Sequence, residues 1–525
     1  MNAAALAGLL ASAASGAGPR VVAIDSPAPL VVVKVLVRAG SAQDPVGSEG
    51  LARMTARLLV EGGFGDPAAP ITKELLAEWT RRWGGAALPV ATSFKETSVF
   101  TMTVPREGLA KFADTVLGPM FTRPLFAAAE LDRLRSEALD GLRATRADNI
   151  EAAGLQALED WLHAGTPYSH PDSGTEAGLR ALDAAAARNF YRAWYRPENM
   201  VVAVSSRDPA IADTLRRALA GAGGTGRPPA ALPFASPAAP ASPEAVVVGV
   251  PGAQSTGLHV GFPLALTRSH PDYWPLYVAN LWFGSHRDAL SHLYQVLREA
   301  RGYNYGDYSY IEGFEDRPGN LLPPSNAPRR LQLFSVWVRP VAHQHAAHVA
   351  RAVAWEVAEF ARGTMTEDAC AMAKKKARVR YLSLADSTDR LVAERLDDEF
   401  YGINPGTMEG YLARVDAVTC AQMNAAVRRH LGGRPLRFLL VTDAGRAAGL
   451  ADALASEGPV WGKGPGDYHI DVAIKEGRAV YEVPEEKLEL LRRDAVWANQ
   501  RLGLAREKIK VVPADRLFVR PGLTD

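Results

Sequence analysis

A stretch of almost only glycine, alanine and proline divides this chain, and the segment on each side of it ends with a helix, a proline and an apolar strand. That stretch, residues 221–243, carries one charge and cannot bury enough apolar surface to order itself, so it is predicted to be an interdomain linker. Before it, an alanine-rich helix leads to Pro197 and an apolar strand at residues 200–204. After it, a second helix leads to Pro435 and a strand at residues 438–441. This repetition predicts two homologous halves.

Each half also begins with a β-rich segment, at residues 30–37 and 245–262, and continues with amphipathic helical stretches. The order predicts an α+β fold in which each half has an antiparallel-rich sheet packed with helices. Further elements predicted for the first half are a helix at 73–83, a hairpin of 86–91 and 98–104, and helices at 108–117 and 127–146. Those predicted for the second half are helices at 273–282 and 290–300, strands at 305–311 and 332–338, and a helix at 343–362.

The domain boundaries follow from this pattern. Residues 1–19 are predicted to be a tail or signal remnant, 20–220 the first half, 221–243 the linker, 244–461 the second half, and 462–525 a C-terminal extension with a helix at 484–502 and a strand at 509–512. The apolar run at residues 3–17 is shorter than a membrane span and has no Lys or Arg before it, so a surface helix or a trimmed end is the alternative to a signal remnant. No span is predicted elsewhere.

Composition excludes some classes of function. The 59 Lys and Arg residues balance 58 Asp and Glu residues, which gives no long-range field for nucleic acid or anionic membrane. The two cysteines, Cys370 and Cys420, exclude a disulfide scaffold, and both are predicted to be small core residues that leave the redox compartment open.

Residues 35–63, VLVRAGSAQDPVGSEGLARMTARLLVEGG, resemble the segment that carries the inverted zinc motif H-x-x-E-H in pitrilysin-like (insulinase-like, inverzincin) zinc peptidases. The glycines and the Gly-Leu-Ala that opens the helix match the frame. The motif positions, however, are Arg53, Ala56 and Arg57, where the family has a zinc ligand, the catalytic glutamate and the second ligand. The resemblance covers residues from about 20 to 460 and implies half of a clam-shell chamber.

These substitutions remove the chemistry of the motif. Arg stays protonated and offers no lone pair, so Arg53 and Arg57 cannot hold zinc, and Ala56 cannot take a proton from a metal-bound water. The resemblance places a further glutamate of active members at Gly141, although a shifted alignment would use the nearby Glu137. Solvated or salt-bridged helix residues are the first interpretation of the two arginines, and a clamp for a substrate carboxylate is the second.

Residues 293–314 are similar to the family signature R-x-x-x-G-L-x-Y, with Arg298, Gly302 and Tyr305 at its positions. Gly302 is predicted to end a helix in the left-handed region, so that a strand from Tyr303 places Tyr303 and Tyr305 on one face. The resemblance implies that Arg298, Tyr305 and Tyr303 contact a substrate peptide and donate to its developing oxyanion. The alternative is that Arg298 is a helix-end cation and Tyr305 a half-buried strand aromatic.

The sequence His343, His345, His348 has spacing that suggests a replacement metal site. Because it opens a helix after Pro340, with no Cys or carboxylate close in sequence, a surface helix is the favoured interpretation.

The resulting hypothesis is a catalytically inactive, metal-free subunit of a heterodimeric zinc peptidase. A catalytic partner of the same family would carry H-x-x-E-H and the zinc, and peptides would be the substrates. The alternative is a scaffold without a role in proteolysis, like the respiratory-complex core subunits that resemble this family. A third hypothesis, an enzyme with relocated ligands, has only the His343 cluster as candidate. The resemblance favours the periplasm or cell envelope, with the cytoplasm as the other option.

Overall fold

The computed structural model contains two large β-sheets, one from each half of the chain. The residues that the structure describes are 18–82, 87–224, 229, 234–314, 325–463, 471–475, 478–482 and 484–523. The strands of the first half are β1 (Arg20–Ala23), β2 (Leu30–Val37), β3 (Phe64–Asp66), β4 (Ala69–Ile71), β5 (Ala87–Ser93), β6 (Ser98–Pro105) and β7 (Met200–Val204). Those that follow are β8 (Glu244–Val250), β9 (Thr256–Leu264), β10 (Asp307–Tyr310), β11 (Gln332–Val341), β12 (Arg437–Asp443), β13 (Asp471–Lys475), β14 (Arg478–Glu482) and β15 (Ile509–Pro513).

Helices cover the sheets. The first half has α1 (Leu51–Glu61), α2 (Lys73–Arg82), α3 (Leu109–Phe112), α4 (Gly118–Thr122), α5 (Ala128–Asp148), α6 (Ile150–Leu162), α7 (Glu176–Ala181), α8 (Ala184–Trp194) and α9 (Pro209–Leu219). The rest of the chain has α10 (Tyr273–Gly284), α11 (Ala346–Ala361), α12 (Glu367–Ala385), α13 (Thr388–Tyr401), α14 (Thr407–Ala417), α15 (Cys420–Leu431), α16 (Ala447–Ala455) and α17 (Glu485–Asn499).

The two sheets share one strand order. The first runs β1-β7-β2-β6-β5, and the second runs β15-β8-β12-β9-β11-β10, so that β15 is an addition at one edge. In both sheets one pair of the repeated strands is parallel, β1 with β7 and β8 with β12, and the other repeated strands pair antiparallel. The added strand β15 also pairs in parallel with β8. This shared topology confirms the predicted α+β fold with two similar halves.

The halves exchange one helix each. Helix α6 of the first half lies on β9, β11 and β12, and α13 of the second half lies on β2 and β7, where Val392 and Leu396 are buried. The backbone of α6 approaches the His259 ring closely at Gly154, because a Cβ there would lie 2.2 Å from Cδ2 of the ring. The strands that are buried along nearly their whole length are those that read as almost continuous apolar runs, namely β2, β7, β8 and β12.

Residues 484–523 contact both halves. Trp497 of α17 is fully buried, and α17 packs on α11. Strand β15 then pairs with β8, and Leu517 and Phe518 beyond it are buried in the core of the first half. There the Arg146 guanidinium donates to the Leu517 carbonyl at 3.2 Å. The extension thus connects the second sheet to the first core.

Most predicted elements are present with ends shifted by a few residues; the helix at 290–300 covers residues 292–299, and Tyr294–Glu299 within it is π-helical. One prediction in the second half is wrong, because the strand expected from Tyr303 begins only at Asp307. Asn304 explains the delay, because its side-chain amide bonds the Asp307 carboxylate at 2.7 Å and the Arg339 carbonyl at 3.2 Å and holds the intervening residues in a loop.

The cysteines are also not the separate core residues that were predicted. Cys370 of α12 and Cys420 at the start of α15 form a disulfide, with Cα atoms 5.5 Å apart. Only the packing of the two helices brings these distant positions together.

Two of the predicted segments are not, or only partly, among the residues that the structure describes. The apolar run at 3–17 lies outside them, and so do residues 225–228 and 230–233 of the linker. At the end of the linker, however, the Phe234 ring packs edge-on against Tyr168, with centroids 5.5 Å apart. No helix in the described part of the chain is long and apolar enough to cross a membrane.

Candidate functional site

Helix α1 begins where the motif frame predicts it. Gly50 precedes it with φ of +108°, and a Cβ there would lie 2.8 Å from a methyl carbon of Leu179. The Asp44 carboxylate accepts hydrogen bonds from the amides of Gly50 and Ala52, each at 2.7 Å, and so satisfies donors that a helix start leaves free. Burial raises the pKa of this carboxyl. The direction of α1 is therefore set by buried contacts.

The three motif positions lie together on α1. Arg53 and Arg57 are half-buried and one turn apart, and Ala56 beside them is 1% exposed. Met54 and Leu58 point into the core of the first half. The motif face therefore presents two guanidinium groups and a methyl group.

Arg57 belongs to a network of ion pairs. Its guanidinium donates to Glu61 at 2.7 and 3.1 Å and to Glu137 at 2.7 Å. Lys73 and Arg133 reach the same Glu61 carboxylate at 2.9 and 3.2 Å. Burial opposes ionisation of Glu61, but the hydrogen bonds from these cations lower its pKa to about 2. This network bears out the salt-bridged interpretation of Arg57.

The contacts across α5 favour the shifted alignment. Glu137 is the residue of α5 that meets Arg57, whereas a Cβ at Gly141 would have no atom within 4 Å. A carboxylate therefore remains opposite the motif face. In place of a metal its partners are Arg57 and Arg133, and the bond from Arg57 lowers the pKa of Glu137.

The zinc that the family resemblance implies does not fit this face. Zinc requires lone pairs from imidazole, thiolate or carboxylate, and Arg53 and Arg57 supply none. A cation placed here would also face the positive charges of Arg57, Lys73 and Arg133, which already share Glu61. No step of hydrolysis can be assigned to α1.

In the second half, Arg298 and Tyr305 come together on the surface. Gly302 has φ of +61°, as predicted, and reverses the chain after the helical segment. The Arg298 guanidinium lies 4.6 Å from the centroid of the Tyr294 ring and 6.0 Å from that of Tyr305. Tyr305 is 76% exposed. This pair is accessible to a molecule that approaches the second half.

Tyr303 does not share that face, so this part of the prediction is wrong. Its ring is 5% exposed and packs against His345, with centroids 5.3 Å apart. The two tyrosines separate because residues 303–306 form a loop instead of a strand. In this conformation Tyr303 cannot contact a substrate.

A buried carboxyl lies behind Arg298. Asp307 begins β10, and only its Oδ1 atom has a hydrogen-bond partner, the Asn304 amide at 2.7 Å. Burial raises the pKa of Asp307 to about 8, although Arg298 and the Asn304 bond oppose the rise. At neutral pH the group behind Arg298 is therefore largely uncharged.

The three histidines after Pro340 do not converge on a metal position. The His343 ring bonds Thr256 at 2.9 Å and the Ala253 carbonyl at 3.0 Å, while the His348 ring bonds the Val460 carbonyl at 2.9 Å. His348 is fully buried, so the prediction of a surface helix is wrong as well. His345 and His348 both pack against the Tyr303 ring, whereas His343 bonds residues of another loop, so the three rings serve packing.

Sequence reasoning missed a buried charged cluster between the halves. Lys95 follows β5, and its ammonium lies 3.3 Å from Asp172 and 3.9 Å from Glu159. Arg329 of the second half bonds Glu159 at 2.5 Å, and Arg330 bonds Glu96 at 2.6 Å. Charged residues are common in a turn between two strands, so no local pattern could have found this cluster, and only the tertiary structure shows that Lys95 and Glu96 are buried.

A duplicated α+β fold, with a helix at the place of the inverted zinc motif H-x-x-E-H, defines a class of metallopeptidase-like proteins. Comparison with known protein families agrees with this class. The model described as insulinase (peptidase family M16) matches residues 20–169, and the one described as peptidase M16 inactive domain matches residues 181–377. The chain belongs to this family.

Relatives and solved structures are similar at low identity. Uncharacterised zinc proteases of Streptomyces coelicolor and Mycobacterium tuberculosis are 26% identical over 327 and 312 residues, which cover 61% and 59% of this chain. The match spans 66% of each relative, so the chain covers about two thirds of their length.

The structural neighbours share the fold. A peptidase M16 inactive domain from Pseudomonas fluorescens has a TM-score of 0.68 at 22% identity, covering 82% of this chain and 96% of that one. A protease from Helicobacter pylori has a TM-score of 0.68 at 14% identity, and the match covers 81% of this chain and 97% of that one. A chain of Complex III2 from Candida albicans has a TM-score of 0.61 at 14% identity, and the match covers 82% of this chain and 96% of that one.

Proposed function

We propose that this chain is the non-catalytic subunit of a heterodimeric zinc peptidase. The observation that carries the proposal is an ion-pair network around the motif: Arg57, which stands at a zinc-ligand position on α1, bonds Glu61 of the same helix and Glu137 of α5. A family member with this network has no group to activate a water molecule. Its peptidase frame is then useful as part of a chamber whose chemistry is supplied by another chain.

The partner in this proposal is a family member with an intact H-x-x-E-H motif. It would bind zinc and activate water, and this chain would complete the chamber around a peptide. When the peptide carbonyl becomes tetrahedral, negative charge develops on its oxygen. A phenol and a guanidinium near that oxygen stabilise the transition state by hydrogen bonding. Arg298 and the exposed Tyr305 are suited to this role because they are adjacent and accessible.

We also propose the cell envelope or periplasm as the compartment of the chain. The support is the bond between Cys370 and Cys420, because disulfides persist in oxidising compartments and are rare in the cytosol. Fractionation of the source cells, with the chain followed by antibody, tests this proposal. Recovery in the cytosolic fraction with both cysteines reduced would contradict it.

Affinity capture of the full chain from its source cells is the first experiment. Recovery of a zinc peptidase of the same family in equal amount is the expected result. The purified chain alone should not cleave unstructured peptides, and hydrolysis by this chain alone would refute the proposal. Recovery of a multisubunit membrane complex instead would identify the chain as a scaffold, a role supported by its likeness to a chain of Complex III2.

Two matched variants in the heterodimer test whether Tyr305 of this chain donates a hydrogen bond to the peptide that the partner cleaves. Tyr305→Phe removes the exposed phenol and should lower kcat by roughly 100- to 1,000-fold, as loss of an oxyanion donor does, with little change in assembly. Tyr303→Phe removes a buried phenol from the same loop and should leave kcat unchanged. Equal kinetics for both variants and the parent would remove the role of Tyr305.

A further inference from the structure

Three potential metal ligands converge on the second half, away from the motif helix. His270 and Asp272 lie in the turn before α10, and His430 lies in the last turn of α15. One ligand atom from each falls within 4.8 Å of the others. Within the described ranges, no other three His, Cys, Asp or Glu side chains meet in this way. No local sequence pattern indicates this group, because about 160 residues separate its two segments.

The group is already partly arranged as a site. The Asp272 carboxylate accepts a hydrogen bond from the His430 Nε2 atom at 2.8 Å. The two imidazole rings are perpendicular, with centroids 5.2 Å apart. Ligand atoms around tetrahedral zinc are about 3.3 Å apart, given metal–ligand bonds of about 2.0–2.1 Å. Because the ligand atoms lie up to 4.8 Å apart, metal binding requires them to move closer by roughly 1–1.5 Å.

The His270 side chain also contacts the backbone of its own turn. The Asp272 amide donates to the His270 Nδ1 atom at 3.0 Å, so Nε2 is the ring nitrogen that remains for a metal. Coordination through Nε2 moves the ring proton to Nδ1 and gives up this contact.

Arg429 is the competing cation. Its guanidinium donates to the same Asp272 oxygen as His430, and its side chain is largely exposed. A divalent ion would displace it into solvent and would meet its residual repulsion. Arg429 therefore weakens metal binding without excluding it. Replacing Arg429 should raise the metal affinity, whereas replacing a ligand should lower it.

We infer that His270, Asp272 and His430 bind a divalent first-row transition metal, with Zn²⁺ or Cu²⁺ held most tightly and water completing the coordination. Two imidazoles and one carboxylate select such ions over Mg²⁺ and Ca²⁺, which prefer oxygen ligands. The bound ion would join the start of α10 to the end of α15 and stabilise the second half. This inference is independent of the proposed function, because the site lies outside α1.

The test is a metal titration of the untagged full chain after chelator treatment. With ZnCl₂, calorimetry should show one equivalent bound, and thermal unfolding should shift upward with metal concentration. With CoCl₂, visible absorption of low-symmetry Co²⁺ should appear at the same stoichiometry. His270→Ala and His430→Gln should each lower affinity by at least about 100-fold, since even outer-shell changes cost 10–100-fold.

Two further variants make the test decisive. Arg429→Gln should tighten Zn²⁺ binding by about tenfold, because it removes the competing positive charge. His345→Ala removes a histidine that packs on Tyr303 and should leave binding unchanged. Metal-free unfolding curves of all variants control for folding. Absence of saturable binding in the parent and in Arg429→Gln, or equal binding in the two ligand variants, would overturn the inference.

Discussion

Two glycine-to-alanine substitutions in neighbouring helices are expected to have opposite effects on stability. Gly154 of α6 lies against His259, and an alanine Cβ there would be 2.2 and 2.3 Å from two ring atoms, more than 1 Å inside the usual contact distance of about 3.5 Å. His259 is 0% exposed, so its ring cannot turn into solvent. Gly141 of α5 has open space at its Cβ position.

The magnitudes follow from these environments. Overpacking at Gly154 should destabilise by about 1–3 kcal/mol, offset by the roughly 0.5–1 kcal/mol that alanine gains over glycine in a helix. Gly141→Ala has only the gain and should stabilise by roughly 0.5–1 kcal/mol. For a cooperative unit of about 200 residues, each kcal/mol shifts Tm by about 2–4 °C. The two variants should therefore unfold several degrees apart, on either side of the parent.

Circular dichroism during thermal and urea unfolding measures both variants. The cause is isolated by repeating Gly154→Ala in a His259→Ala background, where the steric conflict is gone and the substitution should become neutral or stabilising. If Gly154→Ala is as stable as Gly141→Ala, α6 does not pack on the second sheet as described. If it is equally harmful in both backgrounds, the contact with His259 is not the cause.

Three further predictions concern stability. Replacing Cys370 and Cys420 by serine should cost about 3–4 kcal/mol, since the disulfide closes a loop of 50 residues, and reduced parent should match the variant in urea unfolding. Folding raises the pKa of Asp307 from 3.8 to about 8, so the folded state binds this proton more tightly than the unfolded state does. The parent should therefore lose stability as pH rises from about 4 to about 8. Asp307→Asn should lack this loss when the urea midpoints at pH 5 and pH 8 are compared. Phe518→Ala should destabilise by about 3–5 kcal/mol, whereas the exposed Arg516→Ala should change stability by less than about 0.5 kcal/mol in the same assay.

The sequence alone determined the duplicated architecture and the loss of the zinc motif. Strand and helix periodicity is a short-range property, so the apolar runs at 30–37 and 200–204 and the helix at Leu51–Glu61 could be predicted from neighbouring residues. The identities of Arg53, Ala56 and Arg57 settle the chemistry of their positions in any packing, because no fold gives a guanidinium a lone pair. The left-handed turn at Gly302 was likewise a local property.

Tertiary structure decided which distant residues meet. Helical spacing could not distinguish Gly141 from Glu137 as the residue facing Arg57, because that depends on how α5 is rotated about its axis against α1. The disulfide and the convergence of His270 with His430 depend on the packing of helices that lie far apart in the chain. Local patterns report burial on one face of an element, but the partner across that face is selected by the packing of the whole chain.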